Sequence, residues 1–302
     1  MKTLITGGNG LLGRELLIPK GFKPTRQQLN LMSYESLEKF IENNGIESII
    51  HCAAKVGGVK ANNDYPHDFF IENLQLNTNI LRACDQYKLK NCIFILSTCI
   101  FPEHAPLPLK EENINDGEPH PTNFGYAYAK RILEIGARTL NQQYGLKSTC
   151  IIPCNLYGKY DNYNLDTGHV IPNLIHKCYI AKQTNTPFVI WGSGEEEREF
   201  MFADDFARIL EKMHMQNNLP QNIIVSPEEN YKISNIVDII VRKFKFTGQI
   251  VYTKEKGAGV FKKPTCNKIF RTYFPDFKFT SIEDGLSHNI DYFINNINRV
   301  RN

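Results

Sequence analysis

Residues 2–17 read KTLITGGNGLLGRELL: a short apolar run, a glycine-rich turn, then a helical pattern. Gly7, Gly10 and Gly13 have the spacing G-x-x-G-x-x-G, directly after the expected strand and at the opening of the expected helix. Glycines there permit a tight turn, close approach of a pyrophosphate to the backbone and close packing of helix on strand. The helix start adds free N–H groups. Three glycines in a turn are a weak signal alone, and the spacing differs by one residue from G-x-G-x-x-G. The strand–turn–helix setting makes a dinucleotide site the expectation.

The pattern repeats downstream. ESLEKFIENNG (35–45) reads as an amphipathic helix and IESIIHCAA (46–54) as a buried strand. PHDFFIENLQLNTNILRACDQYK (66–88) is a long helical pattern with Phe69, Phe70, Leu74, Ile80, Leu81 and Cys84 on its apolar side. NCIFILSTCIF (91–101) is a buried strand, GYAYAKRILEIGARTLNQQYG (125–145) a helix and KSTCIIPCNLYG (147–158) a further strand. Apolar runs alternating with helical patterns predict βαβ units and a parallel sheet, with ligands beyond the carboxyl ends of its strands. The fold class is therefore α/β, a Rossmann-type doubly wound sheet.

After residue 158 the alternation breaks. PFVIWGSG (187–194) reads as a strand, FMFADDFARILEKMHM (200–215) as a helix, QNIIVSP (221–227) as a strand and YKISNIVDIIVRKF (231–244) as a helix. This predicts a smaller C-terminal α/β lobe for substrate, formed by about 159–197 and 227–302. Residues 1–158 and about 198–226 form the nucleotide-binding part.

A dinucleotide site for NAD usually carries Asp or Glu at the end of the second strand, against the ribose hydroxyls. Here that region reads GFKPTRQQLNL (21–31), without an acid but with Lys23 and Arg26. A cation there suits a 2′-phosphate, which favours NADP(H), with Arg26 as its reader.

The chain of 302 residues carries a formal charge of +3, without a basic run or zinc-knuckle spacing, which argues against nucleic acid. Its eight cysteines are scattered, with no C-x-x-C pair, so neither a disulfide framework nor a metal site is expected. Cys52, Cys92, Cys150 and Cys154 lie in apolar runs and read as packed thiols. No apolar stretch approaches the ~18 residues of a membrane span, and MKTLITGG lacks a signal-peptide core. A reduced, cytoplasmic protein is expected.

Tyr126 and Lys130 stand four apart in the helical stretch and share a face. An ammonium beside a phenol favours phenolate, so Tyr126 is a candidate acid–base group for a carbonyl oxygen. Tyr128 has the wrong spacing. Ser97, at the end of the preceding strand, is placed to donate a second hydrogen bond to that oxygen.

The glycine turn, the strand-end serine and Tyr126-x-x-x-Lys130 together resemble the extended short-chain dehydrogenase/reductase family. AAKVGGVKANNDYPHDFFIENL (53–74), LSTCIFP (96–102), NFGYAYAKR (123–131), NLYGKYDNYN (155–164), GHVIPNLIHK (168–177) and WGSGEEEREF (191–200) narrow the match. They are similar to one branch, the GDP-L-fucose synthases, which epimerise C3 and C5 and reduce C4 of GDP-4-keto-6-deoxy-D-mannose. FKKPTCNKIFRTYFPDFKF (261–279) resembles the animal type of that branch.

The resemblance implies that Cys99 and His169 exchange the C3 and C5 protons from opposite faces, Cys99 as base. It also implies that Ser97, Tyr126 and Lys130 serve the C4 oxygen. For NADP(H) it implies Gly7, Asn9, Gly10, Leu11, Leu12, Gly13, Arg26, Ala53, Ala54, Leu96, Ser97, Tyr126, Lys130, Pro153, Asn155, Leu156 and His169. For substrate it implies Val56, Gly57, Asn62, Asn155, Lys177, Trp191 and Arg198, with VGGVKANN (56–63) as a loop over the sugar. A homodimer through the two long helices follows by the same analogy. Ala258 stands where the family carries an aspartate, which bears on the choice of sugar. The alternatives are a relative acting on another GDP-4-keto sugar, a 6-deoxyheptose or a colitose precursor, and, more remotely, a non-catalytic NADP-binding scaffold.

Overall fold

Parallel strands buried on both faces need apolar residues in succession, and those of this chain alternate between two cores. A computed structural model describes residues 1–253 and 261–301. In chain order the elements of the first half are β1 (Thr3–Thr6), α1 (Leu11–Glu15), β2 (Gly21–Phe22), α2 (Tyr34–Asn44), β3 (Ser48–His51), α3 (Val59–Asp64), α4 (Pro66–Gln86), β4 (Ile93–Ile95), α5 (Phe124–Tyr144) and β5 (Thr149–Pro153). The second half holds β6 (Asn155–Tyr157), α6 (Val170–Thr184), β7 (Phe188–Ile190), β8 (Glu197–Phe202), α7 (Ala203–His214), β9 (Asn222–Val225), β10 (Asn230–Lys232), α8 (Ile233–Phe244), β11 (Ile250–Tyr252), α9 (Lys268–Tyr273) and α10 (Ile282–Asn295).

Six strands form one sheet in the order β2-β1-β3-β4-β5-β9, with every pairing parallel. Leu4, Ile49, Phe94 and Ile152 face one core, while Ile5, Ile50, Ile95 and Ile151 face the other. This is the period-2 alternation of a strand, applied to a sheet covered on both sides. The chain leaves β1 toward β2 and returns past it to β3. The order therefore reverses between β1 and β3, the crevice where a doubly wound sheet takes its ligand.

Local signals set the helix limits. The Ser33 hydroxyl accepts from the Ser36 N–H to cap α2, and Gly45 closes it at φ 60°. Pro66 opens α4, and Gly145 ends α5 at φ 65°. Gly125 and Gly136 let α4 and α5 pack closely: a Cβ at Gly136 would lie 2.3 Å from Leu81 Cδ1.

Three sequence expectations change. KSTCIIPCNLYG is two strands. Cys150 and Cys154 donate toward β9, so the alternation turns position 153 toward β4, where proline has no N–H to give. Past it, Asn155–Tyr157 leaves the large sheet. The run FMF of 200–202 is strand, and the helix starts at Ala203 with Asp204 and Asp205 in its first turn. Strands β10, β8 and β6 make a three-stranded sheet, so 155–157 and 198–202 lie outside the six-stranded one. VGGVKANN is not an open loop: Val59–Asp64 is helical.

A third core of Tyr157, Phe188, Phe202, Ile236, Leu286 and Phe293 lies beneath the small sheet, β7, α6, α8 and α10. Among the described residues no helix is long and apolar enough to cross a membrane.

Candidate active site

Gly7 takes φ +68°, and a Cβ there would lie 2.8 Å from the Ala53 nitrogen. The turn after β1 and the end of β3 therefore meet backbone to backbone. A Cβ at Gly13 would lie 2.2 Å from the Gly7 carbonyl oxygen, so α1 can sit against the turn only with glycine there. The packing of α1 on the turn is the close helix–strand approach expected from the spacing, and it leaves a glycine cradle at the switch point, with Asn9 exposed and Leu11 and Ala54 half-buried. Helix α1 runs for only five residues, so its dipole is short and the N–H groups of the turn are its main offering to an anion. Lys23 packs against the turn, within 2.7 Å of a Cβ placed on Gly8, and its Nζ donates to the Arg14 carbonyl. Arg26 is exposed beyond β2. Both cations stand past the second strand with no carboxylate bound among the described residues, a setting that fits a 2′-phosphate.

Strand β4 stops at Ile95 because its continuation turns on a short polar side chain. The Ser97 hydroxyl accepts from the Cys99 N–H at 3.2 Å, and Thr98–Ile100 form one 3₁₀ turn. Leu96 is buried, while Ser97 and Cys99 are half-buried at the mouth. Helix α5 clamps this turn from both sides. Lys130 Nζ donates to the Ile95 carbonyl at 2.7 Å, and Arg131 Nε donates to the Ile100 carbonyl at 2.6 Å. Sequence reading missed Arg131. Its signal, an arginine after the expected lysine, carries no information without the fold.

The Lys130 ammonium lies 5.9 Å from the Tyr126 ring centroid. Burial lowers Lys130 to about 8, against the opposing pull of Cys52 and Cys150. Burial also pushes the Tyr126 phenol up, Cys99 adds to the rise, and the Ser97 hydroxyl beside it pulls the other way. The expected lowering by lysine is not realised: Lys130 spends its short contact on the Ile95 carbonyl, and desolvation raises the phenol. Tyr126 stays a phenol, a proton donor. Tyr128 packs edge-on to Phe124 and under the Arg131 guanidinium, away from this group.

Beneath the site His51 is fully buried and held neutral by burial and by the Lys130 charge, at about 3. Asn77 donates to the Ala129 carbonyl, so its oxygen takes the His51 Nε2 proton, and Nδ1 accepts from Thr6. The network joins β1, β3, α4 and α5 directly under Lys130. Cys92, Cys150 and Cys154 are buried, Cys52 is half-buried, and burial pushes the Cys52 thiol up to about 12.

His169 stands at the start of α6 but does not cap it with its side chain. Its Nδ1 lies 3.4 Å from Oδ1 of buried Asp161. Burial lowers the imidazole, but the hydrogen bond and charge of Asp161 outweigh this and hold it above the ordinary value, with Arg301 opposing. The Gly58 N–H donates to the Thr167 carbonyl, and a Cβ on Gly58 would lie 2.9 Å from the Gly168 carbonyl oxygen. The segment 56–62 is therefore fastened to the histidine loop, and α3 packs on the turn at 121–123 that leads into α5. A rim of contacts thus runs from the histidine loop through Gly58 and α3 to the turn that leads into α5.

The remaining candidates divide. Val56 is exposed and Gly57 half-buried on that rim. Asn62 is 8% exposed and its amide nitrogen donates to the Gly57 and Gly58 carbonyls, so it shapes the loop, while its Oδ1 is buried without a partner among the described residues. Lys177 Nζ lies 5.3 Å from the ring of Trp191, which is 58% exposed and outside any core. Asn155 is exposed and donates to the Glu199 carbonyl, Leu156 is half-buried, and Pro153 is buried beside them. Arg198 donates to the carbonyls of Glu197 and Phe261 and feels the Cys99 thiol. It therefore joins the Cys99 side of the cleft. Ala258 lies outside the described residues.

A cradle at the switch point, a tyrosine–lysine helix and a strand-end serine define a nucleotide-dependent enzyme on a doubly wound sheet. Residues 3–226 match the NAD dependent epimerase/dehydratase family, and the chain belongs to it. It is 36% identical to GDP-L-fucose synthase of Dictyostelium discoideum over 99% of this chain and 97% of that one. It is 33% identical to GDP-L-colitose synthase of Yersinia pseudotuberculosis over 99% of both. A solved GDP-L-fucose synthetase from Naegleria fowleri bound to NADP superposes with a TM-score of 0.91 at 33% identity, covering 99% of this chain and 94% of that one.

Proposed function

We propose that this chain is an NADP(H)-dependent epimerase–reductase that converts GDP-4-keto-6-deoxy-D-mannose to GDP-L-fucose. The observation that carries the reading is the turn Ser97–Cys99, clamped by α5 so that an oxygen donor and a thiol stand together beside Tyr126. A 4-ketone acidifies the protons at C3 and C5. Ser97 and Tyr126 donate to the C4 oxygen and stabilise the charge that develops there when either proton leaves. Cys99 removes the proton and His169 returns one from the other face, which inverts the centre.

When bound, NADPH would supply the hydride for C4; Gly7, Gly10 and Gly13 would hold it, with Lys23 and Arg26 for its 2′-phosphate. Tyr126, kept protonated by burial, supplies the proton to the oxygen. Lys177 and Arg198 pair with the diphosphate, and Trp191 offers a flat apolar surface to the nucleotide.

Incubation with GDP-4-keto-6-deoxy-D-mannose and NADPH in heavy water tests the whole reading. The expected product is GDP-L-fucose with deuterium at C3 and C5. Reduction without deuterium at either carbon would sink the epimerase assignment. The likeness to a GDP-L-colitose synthase supports a second reading, in which another GDP-4-keto sugar is preferred. Competition between keto sugars in one tube separates the two.

The same reading takes the protein to be cytoplasmic and homodimeric. The described cysteines are all free thiols, as a reducing compartment allows. Ile71 on α4 and Phe124 and Ile135 on α5 are exposed apolar side chains that a second copy would cover. Light scattering of the purified protein reads the oligomeric state, and a monomer at micromolar concentration would remove the dimer proposal.

A further inference from the structure

Asp161 is 3% exposed, and the reaction outlined above gives it no task. Its Oδ1 accepts the Asn162 N–H at 2.8 Å and lies 3.4 Å from His169 Nδ1. Its Oδ2 is buried and has no hydrogen-bond partner among the described residues. A buried carboxylate with an unpaired oxygen is costly unless a neighbouring cation compensates it. Charged groups face the His169 ring from two elements: Asp161 from its own loop and Arg301 from the C-terminal segment. Arg301 repels an imidazolium, so Asp161 alone favours one.

The loop is built to hold this pair. The Asp161 N–H donates to Gly158, Asn164 Oδ1 accepts from the N–H groups of Asp166 and Thr167, and the Tyr163 N–H donates to the Arg301 carbonyl at 2.8 Å. The fully buried Tyr163 hydroxyl is tied to Asn289 of α10. A carboxylate fixed at Nδ1 keeps a proton on that nitrogen. Only Nε2 then exchanges, and His169, 39% exposed at its side chain, keeps that atom free of protein partners among the described residues.

We propose that Asp161 is a positioning residue that fixes the proton on Nδ1 of His169 and favours the charged ring over the neutral one, so that Nε2 serves as the proton donor. The catalytic half of this inference rests on the epimerase reading. The half that concerns the proton on His169 does not.

The test has two arms. The first titrates the His169 ring by NMR in the free protein, with His169→Gln identifying the resonance. In Asp161→Asn the midpoint falls by about one pH unit or more, the effect of removing one opposite charge at this range. An unmoved midpoint overturns the proposal whatever the enzyme does. The second arm follows deuterium entry from heavy water into GDP-4-keto-6-deoxy-D-mannose against pH. The alkaline limb moves to lower pH in Asp161→Asn, and Asp161→Glu, which restores the charge, moves it part of the way back. A rate lost equally at every pH, with NADPH binding lost alongside, marks a merely structural role and overturns the proposal. Should His169→Gln leave deuterium entry intact, the epimerase role of His169 fails and with it the catalytic half, while the NMR arm still decides the proton on Nδ1.

Discussion

The two sides of the cleft are held by different means. Ser97, Cys99, Tyr126 and Lys130 hang on β4 and α5, elements locked into the two cores of the large sheet. The clamps of Lys130 and Arg131 onto Ile95 and Ile100 span more than thirty residues of sequence. His169 instead follows a stretch, 158–168, in which short-range bonds of asparagine side chains to nearby backbone fill in between a few long-range ties at Tyr163 and Thr167. The first side is expensive to deform, because movement there breaks core packing. The second can be loosened by one side chain. A reaction with two proton-transfer tasks thus has one rigid wall and one adjustable wall.

The largest expected effect is on the rigid side. Tyr126→Phe lowers the rate of C4 reduction by about 10²–10⁴, the usual worth of a positioned acid, while Tyr128→Phe leaves it near wild type. Equal losses in both variants would mean that the phenol is not the donor. Cys99→Ser keeps NADPH binding and loses deuterium entry at C3 and C5 by about 10² or more. Undiminished entry would remove the thiol as base.

Lys130 links this wall to stability. The unfolded chain keeps the lysine proton up to the ordinary value of 10.5, the folded protein only to about 8. Between those limits unfolding takes up a proton, so the contribution of Lys130 makes stability rise with pH there, and below about 8 its burial costs about 3 kcal/mol. Lys130→Met therefore loses reduction yet flattens that rise in thermal melts. It raises the melting temperature at pH 7 by whatever part of the cost exceeds the lost bond to Ile95. A melt curve with unchanged pH dependence contradicts this.

On the adjustable wall, Asn164→Ala removes the acceptor for the N–H groups of Asp166 and Thr167, worth about 1–2 kcal/mol of local order. Hydrogen exchange at 162–169 should speed up while the amides of β4 and α5 stay protected. Deuterium entry should fall more than cofactor binding. Parallel losses on both walls would erase the distinction drawn between them. The smallest effect is at the cofactor. Arg26→Ala reduces the preference for NADPH over NADH by a few-fold, since an exposed cation is screened. An unchanged ratio would pass the 2′-phosphate to Lys23.

Features that depend on neighbours in sequence were legible. The spacing of Gly7, Gly10 and Gly13, the pair Tyr126 and Lys130, and helices α2, α4 and α5 all rest on local periodicity or turn chemistry. Features decided by partners far along the chain were not. Asn155–Tyr157 reads as a continuation of β5, and only pairing with Glu197–Phe202 shows that it belongs to another sheet. Asn62 reads as a residue near the sugar, and only the fold shows that its amide nitrogen also holds the Gly57 and Gly58 carbonyls. Arg131 and His51 carry no local mark of their roles.

The stretch KTLITGGNGLLGRELL determined by itself that a strand, a glycine-rich turn and a helix follow one another, because backbone sterics at glycine are local. It did not determine what closes over that turn. The approach of Ala53 to Gly7, the clamp of α5 on the Ile95 and Ile100 carbonyls and the carboxylate of Asp161 behind His169 arise only when distant segments are packed together. The same packing shifts the titration of the site: burial raises Tyr126 and lowers Lys130, and a buried carboxylate raises His169. Desolvation has no value until a chain has an inside.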